Sequence, residues 1–151
     1  MPRDSATVEV YVFEAELLDV PDVTRRIAVR GDQKLADLHE ELRRGFEWWD
    51  DHLYSFWLDG EFWGSKEREY MSPVEPELGA QTADVELERL GLTAGQKIAY
   101  VFDFGDEWRV RLRLAETRPA GDETLPSTLE RRGKAPPQYP IPDEEELGGG
   151  G

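Results

Sequence analysis

Hydrophobic and polar residues alternate near the start of the chain, in two stretches separated by a turn sequence. Residues 7–18 and 23–30 are rich in β-branched and aromatic side chains, and Asp-Val-Pro-Asp occupies 19–22 between them. Period-two alternation is typical of strands, and Asp and Pro favour turns, so we predict a β-hairpin. In the second strand Arg25 shares a face with the apolar residues or lies at the rim of the sheet, whereas Arg26 points away.

A helical pattern follows between residues 33 and 46. At about 100° per residue, one arc of this segment collects the following side chains: Leu35, Leu38, His39, Leu42 and Phe46. Charged residues, among them Glu41, cover the opposite side, and Asp32 is well placed to cap the N-terminus. We therefore predict an amphipathic helix that packs on a sheet.

The remaining predicted elements complete an α+β fold. In chain order they are strands at 53–58 and 61–63, an irregular loop at 65–81, a short helix at 84–90, and strands at 97–103 and 107–117. The order β-β-α-β-β-α-β-β predicts a β-grasp-like mixed sheet with one main helix packed across it.

Composition divides the chain near residue 118. Residues 119–151 contain six prolines and few apolar side chains, and they close with three consecutive glutamates and four glycines. Segments of this kind bury little apolar surface. We predict a single α+β domain at 1–118, followed by a Pro-rich, acidic, partly ordered C-terminal arm at 119–151.

Charge and cysteine content exclude several classes of function. The chain carries 33 acidic and 18 basic residues, a net charge of −15, which repels phosphate backbones, so we expect no direct binding of nucleic acid. The absence of cysteine excludes disulfides, thiolate metal sites and a cysteine nucleophile. Because no long apolar run occurs, we expect a cytoplasmic protein with no membrane partner.

Four separated motifs carry a family resemblance. They are RRI at 25–27, LADLHE at 35–40, FEW and HLYSF within 46–56, and YVFDFGDEW at 100–108. In this order they resemble the plasmid pRiA-type "ORF-three-like" family, also described as TnpR-like passenger proteins of insertion elements. The resemblance covers about residues 7 to 140 and implies a plasmid- or mobile-element-associated protein, and a fold rather than a reaction. We exclude the resolvase chemistry that the TnpR label implies, because no serine lies in an arginine-rich setting and no basic DNA-binding module is present.

The turn at 103–108 and the tryptophans are the candidate binding features. Gly105 is expected to supply a positive φ to a hairpin turn. The structural role of the turn is the favoured interpretation, and the alternative is that its carboxylates, exposed beside aromatic residues, hold a cation or a basic group. Trp48 and Trp49 are adjacent, so one of them is expected to line an exposed aromatic patch. The candidate binding residues are Arg25, Arg26, Trp48, Trp49, Asp103, Phe104, Gly105, Asp106 and Trp108.

Three functions compete at this stage. The leading hypothesis is a non-enzymatic module that binds a protein segment or a small ligand without a cofactor. The alternative is a metal-dependent hydrolase, whose divalent cation requires His39, His52, Asp103 and Asp106 to converge. A third hypothesis is that the acidic C-terminal tail mimics nucleic acid and blocks a basic partner.

Overall fold

Seven strands join one antiparallel sheet, and one helix covers one face of it. The computed structural model describes residues 8–139. Its elements are β1 (Glu9–Leu17), β2 (Thr24–Arg30), α1 (Leu35–Phe46), β3 (Tyr54–Trp57), β4 (Glu69–Met71), β5 (Lys97–Phe102), β6 (Trp108–Pro119) and β7 (Ser127–Arg132). The strand order across the sheet is β4-β3-β5-β6-β1-β2-β7.

The predicted β-grasp-like mixed sheet with two helices is wrong. Every pair of neighbouring strands is antiparallel, whereas a mixed sheet needs at least one parallel pair. The chain crosses the sheet by way of α1, and β5, β6 and β1 lie between the strands that α1 connects. The predicted helix at 84–90 reduces to a single 3₁₀ turn at Leu87–Arg89, so α1 is the one α-helix among residues 8–139.

The partner of β3 also differs from the prediction. Residues 61–63, expected to return as a strand after Asp59-Gly60, form a turn in which Trp63 has a φ of 56°. The strand that pairs with β3 is β4, which lies inside the segment expected to be a loop. A three-residue strand is too short to produce a period-two signal in the sequence.

The C-terminal region adds the last strand of the sheet. β6 continues to Pro119, and β7 pairs with β2 from Thr24↔Arg132 to Ala28↔Ser127. The division into a domain at 1–118 and an arm at 119–151 stays a prediction. The acidic end of that arm, within 140–151, lies outside the described residues.

The core lies between α1 and the inner face of the sheet. The apolar side of the helix is fully buried, as are the facing strand residues Phe13, Ile27, Tyr100 and Leu112. Apolar burial of this kind supplies most of the free energy of folding. Arg25 lies on the same inner face, as the alternation predicts. α1 begins after Lys34 rather than after Asp32, whose carboxylate pairs with Arg30.

The outer face of the sheet carries two small apolar clusters separated by charged residues. One cluster is formed by Val10, Val12 and Ala28, and the other by Trp57, Ala99 and Val101. No helix in the described part of the chain is both long and apolar enough to span a bilayer.

Candidate binding site

The adjacent tryptophans that follow α1 point in opposite directions. Glu47 ends the helix in the left-handed conformation, with a φ of 61°, and the chain turns sharply there. Trp48 is fully buried and stacks on Phe102, with a centroid separation of 4.7 Å, whereas Trp49 is 67% exposed. Trp108 packs at 5.7 Å from Trp48 and belongs to the same aromatic core. Of these three indoles, only that of Trp49 is largely exposed to solvent.

The turn at 103–108 is built differently from the prediction. Asp103 and Glu107 adopt the left-handed conformation, with φ of 65° and 54°, and Gly105 does not. The Asp103 carboxylate accepts hydrogen bonds from the backbone N–H groups of Gly105, at 3.1 Å, and Asp106, at 3.3 Å. Asp tolerates this conformation better than most residues because its side chain bonds nearby amides. Phe104 leaves the turn on the outer face, 5.3 Å from Trp63.

His52 connects this turn to the C-terminal segment. Its Nε2 atom lies 3.5 Å from Asp103 Oδ2 and 2.5 Å from the Tyr139 hydroxyl. The neighbouring Gln138 side chain accepts from Asp50 N at 3.1 Å and donates to Asp50 O at 2.8 Å. These hydrogen bonds hold Gln138 and Tyr139 beside the turn at 103–108.

A cavity of about 460 Å³ lies between this segment and the residues that follow α1. We call it the Trp49 pocket; its lining is Glu47, Trp49, Asp50, Lys134, Ala135, Pro136, Pro137, Gln138 and Tyr139. Tyr139 is 44% exposed. Partial desolvation, followed by the charges of Asp50, Asp103 and Asp106, raises the pKa of the Tyr139 phenol. The carboxylates of the predicted turn thus act on an aromatic residue of the pocket.

The other histidine, His39, lies in a row of three hydrogen-bonded side chains, between Tyr100 and Asp51. His39 Nδ1 lies 2.7 Å from the Tyr100 hydroxyl, and Nε2 lies 2.9 Å from Asp51 Oδ1. The imidazole also stacks on Tyr54 at 3.6 Å. Burial lowers the pKa of His39, and the hydrogen bond to Asp51 opposes that shift. The same hydrogen bond lowers the pKa of Asp51.

Within residues 8–139, one group of three potential metal ligands lies together: His39, Glu40 and Asp51, with ligand atoms within 4.8 Å of one another. The four predicted ligands do not converge: His39 belongs to this group, His52 pairs with Asp103, and Asp106 lies in the turn at 103–108. Arg43 already provides a positive charge here, because it donates to Glu40 at 2.8 Å and its Nε lies 3.5 Å from Asp51. The local charge balance therefore does not require a metal.

The two predicted arginines have separate roles on opposite faces. Arg25 is 3% exposed and donates to the carbonyl oxygens of Gly45, at 2.6 Å, and Arg132, at 2.9 Å. It joins the end of α1 to β7. Arg26 lies on the outer face and pairs with Glu14 and Glu116. Neither guanidinium is among the lining residues of the Trp49 pocket.

A comparison with known protein families matches nearly the whole range of residues that the structure describes. A family model described as "Plasmid pRiA4b ORF-3-like protein" matches residues 9–139. The chain belongs to this family. The resemblance expected from the four sequence motifs is therefore confirmed.

One relative and one solved structure are also similar to this chain. "Uncharacterized protein y4hQ" of Sinorhizobium fredii is 30% identical over 119 residues, which are 78% of this chain and 59% of the relative. The chain thus spans less than two thirds of that relative's length. The crystal structure of protein of unknown function MM3350 from Methanosarcina mazei Go1 matches with a TM-score of 0.70 and 24% identity. The match covers 87% of this chain and 73% of that one, and it shows the fold alone.

Of the nine residues that line the Trp49 pocket of this pRiA4b ORF-3-like chain, sequence reasoning predicted only Trp49. Asp50 is not among the predicted residues, although an acidic pair directly after two adjacent tryptophans was a usable signal. The partner of Tyr139 could not be predicted from local pattern, because Tyr139 lies 87 residues along the chain from His52, to which it is hydrogen-bonded. Pairing across such a separation follows from the sheet topology and not from local pattern.

Proposed function

We propose that this chain is a non-enzymatic binding module that holds a basic protein segment in the Trp49 pocket. The observation that carries the proposal is the exposed indole of Trp49, which lines a cavity together with Tyr139 and the carboxylates of Glu47 and Asp50. Two partly exposed aromatic residues beside acidic groups form a surface suited to a lysine or arginine side chain. The aromatic faces attract the cation, and the carboxylates pair with it.

Charge supports a basic occupant. Glu47 and Asp50 line the pocket with one opposing cation, Lys134, and Asp103 and Asp106 act on Tyr139 from the adjoining turn. The net charge of −15 attracts basic partners over distances longer than a contact. Tryptophan and tyrosine are among the residue types that most often dominate the binding energy of a protein interface.

The hydrogen bonding of His39 favours binding over hydrolysis. A general base needs a nitrogen that can reach a substrate proton, and both ring nitrogens of His39 are already engaged, by Tyr100 and Asp51. His39 is 2% exposed, so a substrate has little access to it. The metal-dependent hydrolase remains the alternative. It predicts bound Zn²⁺ or Mn²⁺ after mild purification, lost in a His39→Ala variant, whereas the binding module predicts neither.

A peptide titration tests the proposal directly. The probe is a fluorescein-labelled seven-residue peptide of glycine and serine with two arginines, measured by fluorescence anisotropy. Trp49→Ala should weaken its binding about tenfold, the equivalent of about 1.4 kcal/mol, within the range of a desolvated cation–aromatic contact. A peptide with glutamine in place of arginine should not bind.

The matched control is Trp63→Ala. Trp63 is 49% exposed, which makes it comparable with Trp49, but it packs against Trp57 and Phe104 on the outer face. It should leave the affinity for the arginine peptide unchanged. Equal weakening by the two substitutions, or equal binding of the glutamine peptide, would refute the proposal.

A further inference from the structure

Two cross-strand rows of charged residues run over the outer face of the sheet, away from the Trp49 pocket. The first row, from β5 to β7, is Lys97, Arg113, Glu14, Arg26 and Glu130. The second, one step along the same strands, is Ala99, Arg111, Glu16, Thr24 and Arg132. Residues between the rows, such as Ala15 and Ile98, are buried on the inner face. Both rows therefore lie on the outer face of the sheet, and every member except Ala99 is at least partly exposed.

These rows, apart from Ala99, form the floor of a groove of about 820 Å³. We call it the outer-face groove. Five of its row positions are basic and three are acidic, which makes it a positive region on a chain whose net charge is −15. A local excess of the opposite sign is not explained by solubility, which the overall charge already provides.

The ion pairs of the groove leave specific cations without a carboxylate. Glu14 pairs with both Arg26 and Arg113. Among residues 8–139, no carboxylate lies within ion-pair distance of Lys97, Arg111 or Arg132. Arg111 instead lies over the ring of Phe62, at 5.7 Å from its centroid, which fixes the direction of its guanidinium without neutralising it.

We propose that the outer-face groove binds an extended, acidic segment of a partner protein, whose carboxylates pair with Arg111 and Arg132. These two arginines lie in the same row on strands three places apart, which corresponds to about 14 Å. An extended chain covers that distance in about four residues. The preferred segment therefore carries two acidic residues about four positions apart and lies across the strands.

The charge pattern favours a protein segment over a nucleic acid. Glu14 and Glu16 lie between basic positions of the two rows, and Glu130 ends the first row beside Arg26. A nucleic acid presents a phosphate at every nucleotide and would meet these glutamates directly. A peptide can present uncharged residues at those positions and carboxylates only where the arginines lie.

The test uses a labelled eight-residue peptide of glycine and serine with glutamates at its second and sixth positions, measured by fluorescence anisotropy in low salt. Arg111→Gln and Arg132→Gln should each weaken binding at least fivefold, and 0.5 M NaCl should do the same through screening. A peptide with glutamine at both positions should not bind. A peptide with adjacent glutamates should bind more weakly than the spaced one.

Arg109→Gln is the matched control. Arg109 is on the same strand and face as Arg111, but it pairs with Asp19 and does not line the groove. It should leave the affinity for the spaced peptide unchanged, as should Trp49→Ala, because this proposal does not depend on the Trp49 pocket. Equal weakening by Arg109→Gln and Arg111→Gln would overturn the proposal. So would tighter, Arg111-dependent binding of an oligothymidylate, which would assign the groove to nucleic acid.

Discussion

His39, in the first half of α1, is hydrogen-bonded to Asp51, in the segment after the helix, with 2.9 Å between Nε2 and Oδ1. The other ring nitrogen of His39 contacts Tyr100 on β5, so one imidazole joins the helix, the sheet and the segment before β3. His39 is buried, whereas the Asp51 side chain is 53% exposed. This arrangement makes the stability of the fold depend on the charge of one histidine.

We expect the fold to lose stability as the pH falls below 6.5, the ordinary pKa of histidine. Burial lowers the pKa of His39 in the folded state, so the unfolded chain takes up the proton first and acid favours unfolding. The contribution of this group is complete above pH 6.5 and is lost as the pH falls toward the folded pKa. Thermal unfolding between pH 7.5 and 5 measures it, and His39→Gln should flatten that part of the profile. An unchanged profile in His39→Gln would exclude the assignment.

Tyr100→Phe should destabilise the fold by about 1–3 kcal/mol, because it leaves His39 Nδ1 buried without its partner. Tyr54→Phe is the matched control. Tyr54 stacks on the same imidazole, but among residues 8–139 its hydroxyl has no hydrogen-bonding partner. Urea denaturation should show a smaller loss for Tyr54→Phe than for Tyr100→Phe. A larger loss for Tyr54→Phe would contradict the hydrogen bond between Tyr100 and His39.

Trp48→Ala should cost about 3–5 kcal/mol of unfolding free energy, since it removes a fully buried indole packed on Phe46, Phe102 and Trp108. Trp49→Ala should change stability by less than about 0.5 kcal/mol, as is usual at exposed sites. Differential scanning calorimetry of the two variants compares adjacent positions directly. Similar losses would mean that both indoles are buried.

Local pattern was sufficient for the elements whose residues repeat over several turns or pleats. The spacing of Leu35, Leu38, Leu42 and Phe46 predicts the buried side of the helix, which begins two residues later than expected. Alternation likewise predicts Arg25 on the inner face. These signals succeed because helix and strand periods determine which side chains share a face.

Contacts between residues far apart in the chain could not be predicted from the local sequence pattern. Glu41 was placed on the exposed side of the helix, but it is 5% exposed and accepts a hydrogen bond from Thr128 on β7. Without knowledge that β7 joins the sheet, nothing in the sequence buries that carboxylate. In the turn at 103–108, glycine preference pointed to Gly105, whereas side-chain hydrogen bonding placed Asp103 in the left-handed conformation. Strand order fails for the same reason, because antiparallel pairing across many residues leaves no local signature.

Arg25→Lys should destabilise the fold by at least about 1.5–3 kcal/mol, the range of one hydrogen bond to a charged group. A lysine amine cannot reproduce the planar set of donors that reaches Gly45 O and Arg132 O together. Arg26→Lys is the control, because its ion pairs lie on the solvent-exposed outer face. Equal chemical denaturation midpoints for the two variants would contradict this role.

Gly133→Ala should destabilise the fold more than Gly91→Ala. Both glycines have positive φ, 80° and 67°, so each alanine carries a conformational cost of about 1–2 kcal/mol. Only at Gly133 would the added Cβ lie 2.1 Å from the carbonyl oxygen of Asp22, which forces the backbone to move. Thermal midpoints of the two variants provide the comparison, and a smaller loss for Gly133→Ala would count against the close approach of these two segments.

β7 also protects the protein against aggregation. Its pairing covers the backbone N–H and C=O groups of β2 that would otherwise form an open border of the sheet, and its own sequence there includes Glu130, Arg131 and Arg132. Unpaired edge strands recruit strands from other molecules, and charged residues on an edge strand hinder this pairing. A chain shortened to residue 118 would expose β2 and deprive Arg25 of its acceptor on Arg132. We expect such fragments to polymerise through the exposed edge of β2, so proteolysis between β6 and β7 would promote aggregation.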